Sequence, residues 1–312
     1  MYGSRPERQK FCVPFAGMQR RNVESSAFTA AIPVLVLLPA WIIATFLIFL
    51  CLSPFTSVGY AAFLAIAALA SVVMFLPLTQ RLFVTRMLGV RLPTPSELRK
   101  LEPVVRTVAR AARVPHERFV LAVDDGDDVN AFACGGHILV VSSYSLTNLT
   151  EHELAGVVAH EMSHHLGAHT IALSIGQWLS LPVVACARVG FVLQRVASRT
   201  EIHLRRKSRA LSLVGRAMIA LVTGIAWIFE SALLAAQMVN NVVGKEAEFQ
   251  ADARAVRLGF GRQLSGALGH VMSRGGSARP RNWRDRIFSS HPPARTRIAR
   301  IEAQLRARER RR

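Results

Sequence analysis

Ala159-His160-Glu161-Met162-Ser163-His164 is the stretch on which the reading of the whole chain turns. It has the form HExxH and lies in a segment of helical pattern. Thr150 reads as the N-cap of that helix, with Glu153 at the capping-box position, and the helix is predicted from about Glu151 to Leu166. Histidines four residues apart stand one above the other on a single helix face. That spacing lets two imidazoles share one tetrahedral Zn²⁺, with Glu161 beside them to take a proton from a water on the metal. Leu154, Val157 and Val158 supply apolar surface near His160.

Such a site needs a third protein ligand. Lys245 to Gly259 is alanine-rich and reads as a helix with Gly259 at its C′ position. Within it Glu248 and Asp252 lie four apart on one face. A ligating carboxylate with a second acid one turn on suits a His₂Glu site, because the outer acid can orient a histidine through its free ring N–H. Glu248 is therefore preferred to Glu246, which lies on nearly the opposite face and has Gln250 one turn on. His169 is the other rival, in the string HEMSHHLGAH. The longer metzincin pattern requires histidine where this chain has Thr170. A slip of one residue turns a helical side chain by about 100°, so His169 is set aside.

Upstream of the motif, Phe119 to Val123 reads as a strand and Asp124 to Asp128 as a turn; the closing glutamate of a calcium loop is missing. Val129-Asn130-Ala131-Phe132-Ala133-Cys134 and His137 to Val141 flank Gly135-Gly136 and read as a hairpin. It either offers an edge to an extended peptide or packs as sheet core. Thr94-Pro95-Ser96-Glu97 reads as the start of an earlier helix, running to about Arg113.

Of the 312 residues 51% are hydrophobic, and the formal net charge is +19. Ala27 to Leu52 carries no charge over about 26 residues, enough to cross a ~30 Å hydrocarbon core. Val58 to Leu78 is a second run, reached through the neutral Ser53 to Ser57. Basic residues flank this pair on both outer sides, Arg20 and Arg21 before it and Arg81, Arg86 and Arg91 after it. The positive-inside rule then sets both ends in the cytoplasm. Thr170 to Ala187 and Leu211 to Val239 are further apolar runs, the latter containing Arg216 and Glu230. The loop between them is basic, which opposes that rule, so this second pair either crosses fully or enters the membrane only in part. The four cysteines form no CxxC pair and imply neither a disulfide framework nor a thiolate zinc site. Thirteen arginines crowd the last 40 residues. Beside membrane runs such a tail faces anionic lipid or solvent, and no specific nucleic-acid partner is expected.

These readings divide the chain into a basic N-terminus (1–26), a transmembrane hairpin (27–80), the first part of a metal domain (81–169), a second hydrophobic helical hairpin (170–239) and the rest of the metal domain (240–312). The expected fold is mainly α with a small β-sheet, an integral-membrane zincin of α+β class.

VNAFACGG, AHEMSHH, EFQAD and SSHPPARTRIARIEA follow one another in that order. With the hydrophobic segments around them they resemble the HtpX-like membrane zinc metallopeptidases, relatives of the CAAX prenyl proteases. The resemblance covers about Ser57 to Leu305. It implies one Zn²⁺ per chain on His160, His164 and Glu248, Glu161 as general base and Asp252 in support. It implies that Asn130, Ala131, Phe132 and Ala133 belong to a substrate-cradling strand. His291 is similar to a residue near the cleft that helps the tetrahedral intermediate; alternatively it caps a helix beginning near Pro292. Cys134 departs from the family, where a small hydroxyl residue is usual, and so does the Gly167-Ala168-His169 ending of the zinc helix. The activity implied is zinc-dependent endopeptidase action on misfolded membrane proteins, at the cytoplasmic face of a bacterial membrane. Processing of a lipid-modified peptide and a non-catalytic scaffold with a retained zinc site are the alternatives.

Overall fold

Two capping boxes start the helices on which the motif-bearing half of the chain is built. The computed structural model describes residues 32–73, 76–79, 82, 86, 89–135, 137–167, 169–204, 209–273 and 292–311. Thr94 accepts the Glu97 N–H while the Glu97 carboxylate accepts the Thr94 N–H, which opens a helix at Pro95–Ala111. Thr150 and Glu153 do the same for Glu151–Leu166. Each box satisfies N–H groups that a helix start otherwise leaves unbonded.

In chain order the helices are α1 (Ile32–Leu52), α2 (Tyr60–Val73), α3 (Pro95–Ala111), α4 (Ser143–Asn148), α5 (Glu151–Leu166), α6 (His169–Leu204), α7 (Arg209–Leu258), α8 (Gly261–Ser273) and α9 (Ala294–Glu309). The strands are β1 (Val120–Asp124), β2 (Ala131–Cys134) and β3 (Ile138–Ser142), in the order β1-β3-β2. β2 and β3 form the expected antiparallel hairpin, with Phe132 opposite Val140. β1 runs parallel to β3, Ala122 opposite Val140. All five residues of β3 are buried, while β2 is an edge strand and only half-buried. Gly259 ends α7 at φ +97°, the left-handed C′ conformation expected there.

The fold is mainly helical with a small mixed sheet. One core joins the sheet to α3, α5, α8 and α9 through Leu101, Val108, Leu139, Val158, Met162, Leu264 and Ile301. α5 and α8 meet almost backbone to backbone at Gly156, where a Cβ would fall 2.3 Å from the Leu264 nitrogen. A separate core of Leu37, Ala40, Ala44, Val183, Ala187 and Phe229 binds α1, α6 and α7 into a bundle.

Among the described residues three helices are long and apolar enough to cross a membrane: Ile32–Phe55, Ser174–Arg199 and Leu213–Leu258. Within the run expected over Val58 to Leu78 the described residues form the 14-residue α2 and a helical turn at Pro77–Thr79. The fourth run and the ligand-bearing segment, read separately in the sequence, are one 50-residue helix, α7. Gly244 lies within it and does not end it, since an interior glycine weakens a helix by only ~1 kcal/mol.

Candidate metal centre

α5 and α7 cross where their polar residues meet. His160 and His164 project from α5 with their Nε2 atoms 3.3 Å apart. Glu248 of α7 places Oε2 3.5 Å from His160 Nε2 and Oε1 3.3 Å from His164 Nε2. All three side chains are buried. A tetrahedral Zn²⁺ with bonds of about 2.0–2.1 Å has ligand-to-ligand edges of about 3.3 Å. Glu248 meets the two rings through different oxygens, and one donor atom from each of the three residues falls within 4.8 Å of the others, a group compact enough to close on one such ion.

The charge balance agrees. Three buried carboxylates, Glu161, Glu248 and Asp252, face one buried guanidinium, Arg297. The remaining negative charge would be costly away from water, and it is balanced by protons on His160 and Glu161 or, in their place, by a divalent cation.

Asp252 lies one turn beyond Glu248. Its Oδ1 is 2.9 Å from His160 Nδ1, in position to accept that N–H and leave Nε2 as the ligand atom. Burial and the Arg297 guanidinium oppose a charge on His160, but the Asp252 and Glu248 carboxylates outweigh them and push its pKa up to about 10. A metal at Nε2 therefore competes with a proton. Burial pushes the Glu161 carboxyl above its usual range, with His160 and His164 pulling the other way. A carboxyl with raised proton affinity beside a metal position is suited to taking and returning a proton.

Among the sequence candidates, His160, Glu161, His164, Glu248 and Asp252 come together. Glu246 is exposed. His169 opens α6, beyond the end of α5 at Gly167. Asn130 to Ala133 lie along the edge strand, and β2 packs against α5. The Asn130 N–H donates to Ser145 Oγ at 3.1 Å, and its carbonyl accepts the Ser142 N–H, which extends the hairpin by one residue. His291 lies outside the described residues.

Two contributors were not singled out in the sequence. Arg297 of α9 donates to both Asp252 oxygens, at 2.9 and 2.7 Å, and its Nη1 lies 3.1 Å from Glu248 Oε2. The available signal was spacing: Ala294, Arg297, Ile298, Ile301 and Leu305 share one helix face, so Arg297 is the arginine on an apolar stripe. His165 is the other. Its Nε2–H donates to the Ile138 carbonyl at 2.9 Å, and its ring meets Phe119, which fastens the zinc helix to β3.

Residues 95–305 match the family model described as peptidase family M48. The chain is 26% identical over 222 residues to Protease HtpX of Nitrosococcus oceani, covering 64% of this chain and 70% of that relative. It is 30% identical over 234 residues to the Protease HtpX homolog of Limosilactobacillus fermentum, covering 66% and 73%. The fold is similar to the crystal structure of S. mikatae Ste24p, with a TM-score of 0.51 and 20% identity. That match covers 89% of this chain and 66% of the other, and at this identity the likeness concerns the fold alone.

Proposed function

From the premise that the chain belongs to peptidase family M48 and is a zinc-dependent membrane endopeptidase, we propose how its residues divide the chemistry and what they cut. Three membrane-length helices and bacterial relatives make it a multi-pass protein of a bacterial membrane. Its substrates are polypeptides.

His160, His164 and Glu248 would hold the ion. Bound there, Zn²⁺ supplies a Lewis acid and brings a water to useful acidity near neutral pH. Asp252 accepts the His160 Nδ1–H and fixes that ring's tautomer, and Arg297 holds Asp252 in place. The Glu161 carboxylate receives the proton of the attacking water and delivers it to the leaving amine nitrogen. The scissile segment lies extended along β2, bonded through the main chain of Asn130 to Ala133.

The substrates in this reading are misfolded membrane proteins, cut at the cytoplasmic face. Arg91, Arg99 and Lys100 after the first hydrophobic pair, and the arginine-rich α9, support that orientation. The observation that carries the proposal is the group of three donor residues, one ligand atom from each within 4.8 Å of the others, beside a buried Glu161 and an edge strand. Purified full-length protein in detergent should cleave unfolded casein, stop on zinc chelation and recover with added Zn²⁺. Undiminished cleavage by zinc-stripped protein would overturn it.

A further inference from the structure

Antiparallel pairing decides which main-chain groups of β2 are left for a peptide. The Asn130 carbonyl accepts the Ser142 N–H, so Asn130 and Ser142 form a hydrogen-bonded pair. Such pairs alternate along an antiparallel ladder, and the register makes Phe132 with Val140 and Cys134 with Ile138 the next two. Ala131 and Ala133 therefore turn their N–H and C=O groups to the open side of the sheet, and Gly135 is next in that alternation. Among the described residues nothing bonds the outward groups of Ala131 and Ala133.

Gly135 is different. Its N–H donates to Ser174 Oγ of α6 at 3.1 Å, and both residues are buried. The same hydroxyl bonds the Cys134 thiol. Trp178, one turn along α6, packs against the core of Val90, Ala122, Ile138 and Val140, where Phe132 and Cys134 also pack. Residues four apart share a helix face, so the first turns of α6 grip the end of β2 at two points. The membrane-length stretch of α6 begins at this same Ser174. The strand is fastened at its end to a helix of the membrane bundle.

We propose that Ser174 is the positioning residue of the peptide-binding strand: it takes the last outward N–H, fixes the hairpin tip and ends the cleft at Ala133. Without the hydroxyl that N–H is left buried and unbonded, which is unfavourable, and the tip must shift to satisfy it. A shift there moves Ala133, two residues away, and with it the bonds a substrate makes. None of His160, Glu161, His164 and Glu248 lies on α6, so binding changes while the chemical step does not. A peptide of any length pairs at Ala131 and Ala133 and bends away before Gly135. The inference rests on the reading that the substrate lies extended along β2, and it names what holds that strand and where the cleft stops.

The test uses full-length protein in detergent and a quenched fluorescent peptide from a casein cleavage site. Ser174→Ala should raise KM about fivefold, the size of one lost hydrogen bond, with kcat nearly unchanged and one zinc per chain. Ser174→Thr keeps the hydroxyl and should restore the wild-type KM. An unchanged KM in Ser174→Ala, a fall in kcat as large as the rise in KM, or a Ser174→Thr variant that behaves like Ser174→Ala overturns the proposal. Ala133→Pro separates it from the reading beneath it, because this change removes an outward N–H and breaks no bond to β3, a place where an edge strand tolerates proline. If Ala133→Pro also leaves KM unchanged, peptide binding along β2 fails and this inference with it; if it raises KM while Ser174→Ala does not, only the role of Ser174 fails. Should Ser174→Ala not fold, hydrogen exchange at single amides of the Glu161→Gln protein decides the matter. Bound peptide should slow exchange at Ala131 and Ala133 and leave the already protected Gly135 as it was. A Gly135 amide that exchanges freely alone and becomes protected with peptide overturns the proposal.

Discussion

Arg297 of the last helix and Asp252 of the membrane-length α7 are joined by two hydrogen bonds, Nε to Oδ2 at 2.9 Å and Nη2 to Oδ1 at 2.7 Å, with both side chains buried. The pair pins α9 across the metal centre and sets the acid that orients His160. Supporting partners of this kind typically contribute 10–100-fold to metal affinity or activity. Arg297→Leu should therefore weaken zinc binding by roughly 10–100-fold in a chelator competition. Arg297→Lys should recover only part of the loss, because one ammonium cannot serve both Asp252 oxygens and Glu248. Full zinc affinity in Arg297→Leu would contradict the assignment.

Glu161 is the proton carrier in the proposed chemistry and is not among the three donors. Glu161→Gln should lower kcat by roughly 10²–10⁴-fold, the usual range for a general base. Zinc measured by atomic absorption should stay at one per chain. Normal turnover in this variant would rule out the role.

Glu248 and Glu246 separate cleanly. Glu248 is buried against both histidines, while Glu246 is exposed. Glu248→Ala should lose zinc and cleavage together; Glu246→Ala should keep both. The reverse pattern would move the third ligand.

Glu97 links the start of α3 to the chain before it, with its oxygens 2.7 and 2.8 Å from the Arg91 guanidinium. The Arg91 hydrogen bonds, helped by Thr94 and opposed by burial, hold its carboxyl at about 2, below its ordinary 4.5. A depressed folded-state pKa stabilises the fold fully above the unfolded value and loses that effect as pH falls through the folded one. The contribution is present above about pH 4.5 and fades toward pH 2. Thermal unfolding of Glu97→Gln should show a shallower decline than wild type across that window. Superimposable acid limbs would refute the linkage.

Gly156 is the contact at which α8 sits on the zinc helix. Gly156→Ala should destabilise by about 1–3 kcal/mol, as overpacking does, because the new methyl meets Leu264 backbone. In α8, where a Cβ on Gly269 meets nothing within 4 Å, Gly269→Ala should stabilise by up to ~1 kcal/mol through helix propensity. Chemical denaturation in detergent distinguishes the two; equal effects would deny the close packing at Gly156.

Much of the metal site is legible in the sequence because helical spacing determines which side chains share a face. His160 and His164, and Glu248 and Asp252, are pairs of that kind, and both capping boxes are local patterns. Arg297 was hidden for the opposite reason. Among the described arginines of that tail, the one that turns inward is marked only by its place among Ala294, Ile298 and Ile301. The parallel pairing of β1 with β3 has no local signature, since the five residues of β1 carry nothing that specifies which neighbour or direction they take. The unbroken course of α7 is less legible, because the apolar run stops at Val239 and the ligand-bearing segment reads as beginning at Lys245, whereas the helix continues through Asn240, Asn241 and Gly244, with Asn241 buried.

That unbroken course makes α7 a measuring rod. The segment that sits in the lipid and the carboxylate that completes the metal site belong to one rigid rotor. One inserted residue between Val239 and Glu248 would lift the carboxylate by about 1.5 Å and swing it by about 100°, out of reach of His160 and His164. The length of this interval is therefore constrained independently of its composition. The metal position is thus held at a fixed distance along α7 from the apolar segment that ends at Val239.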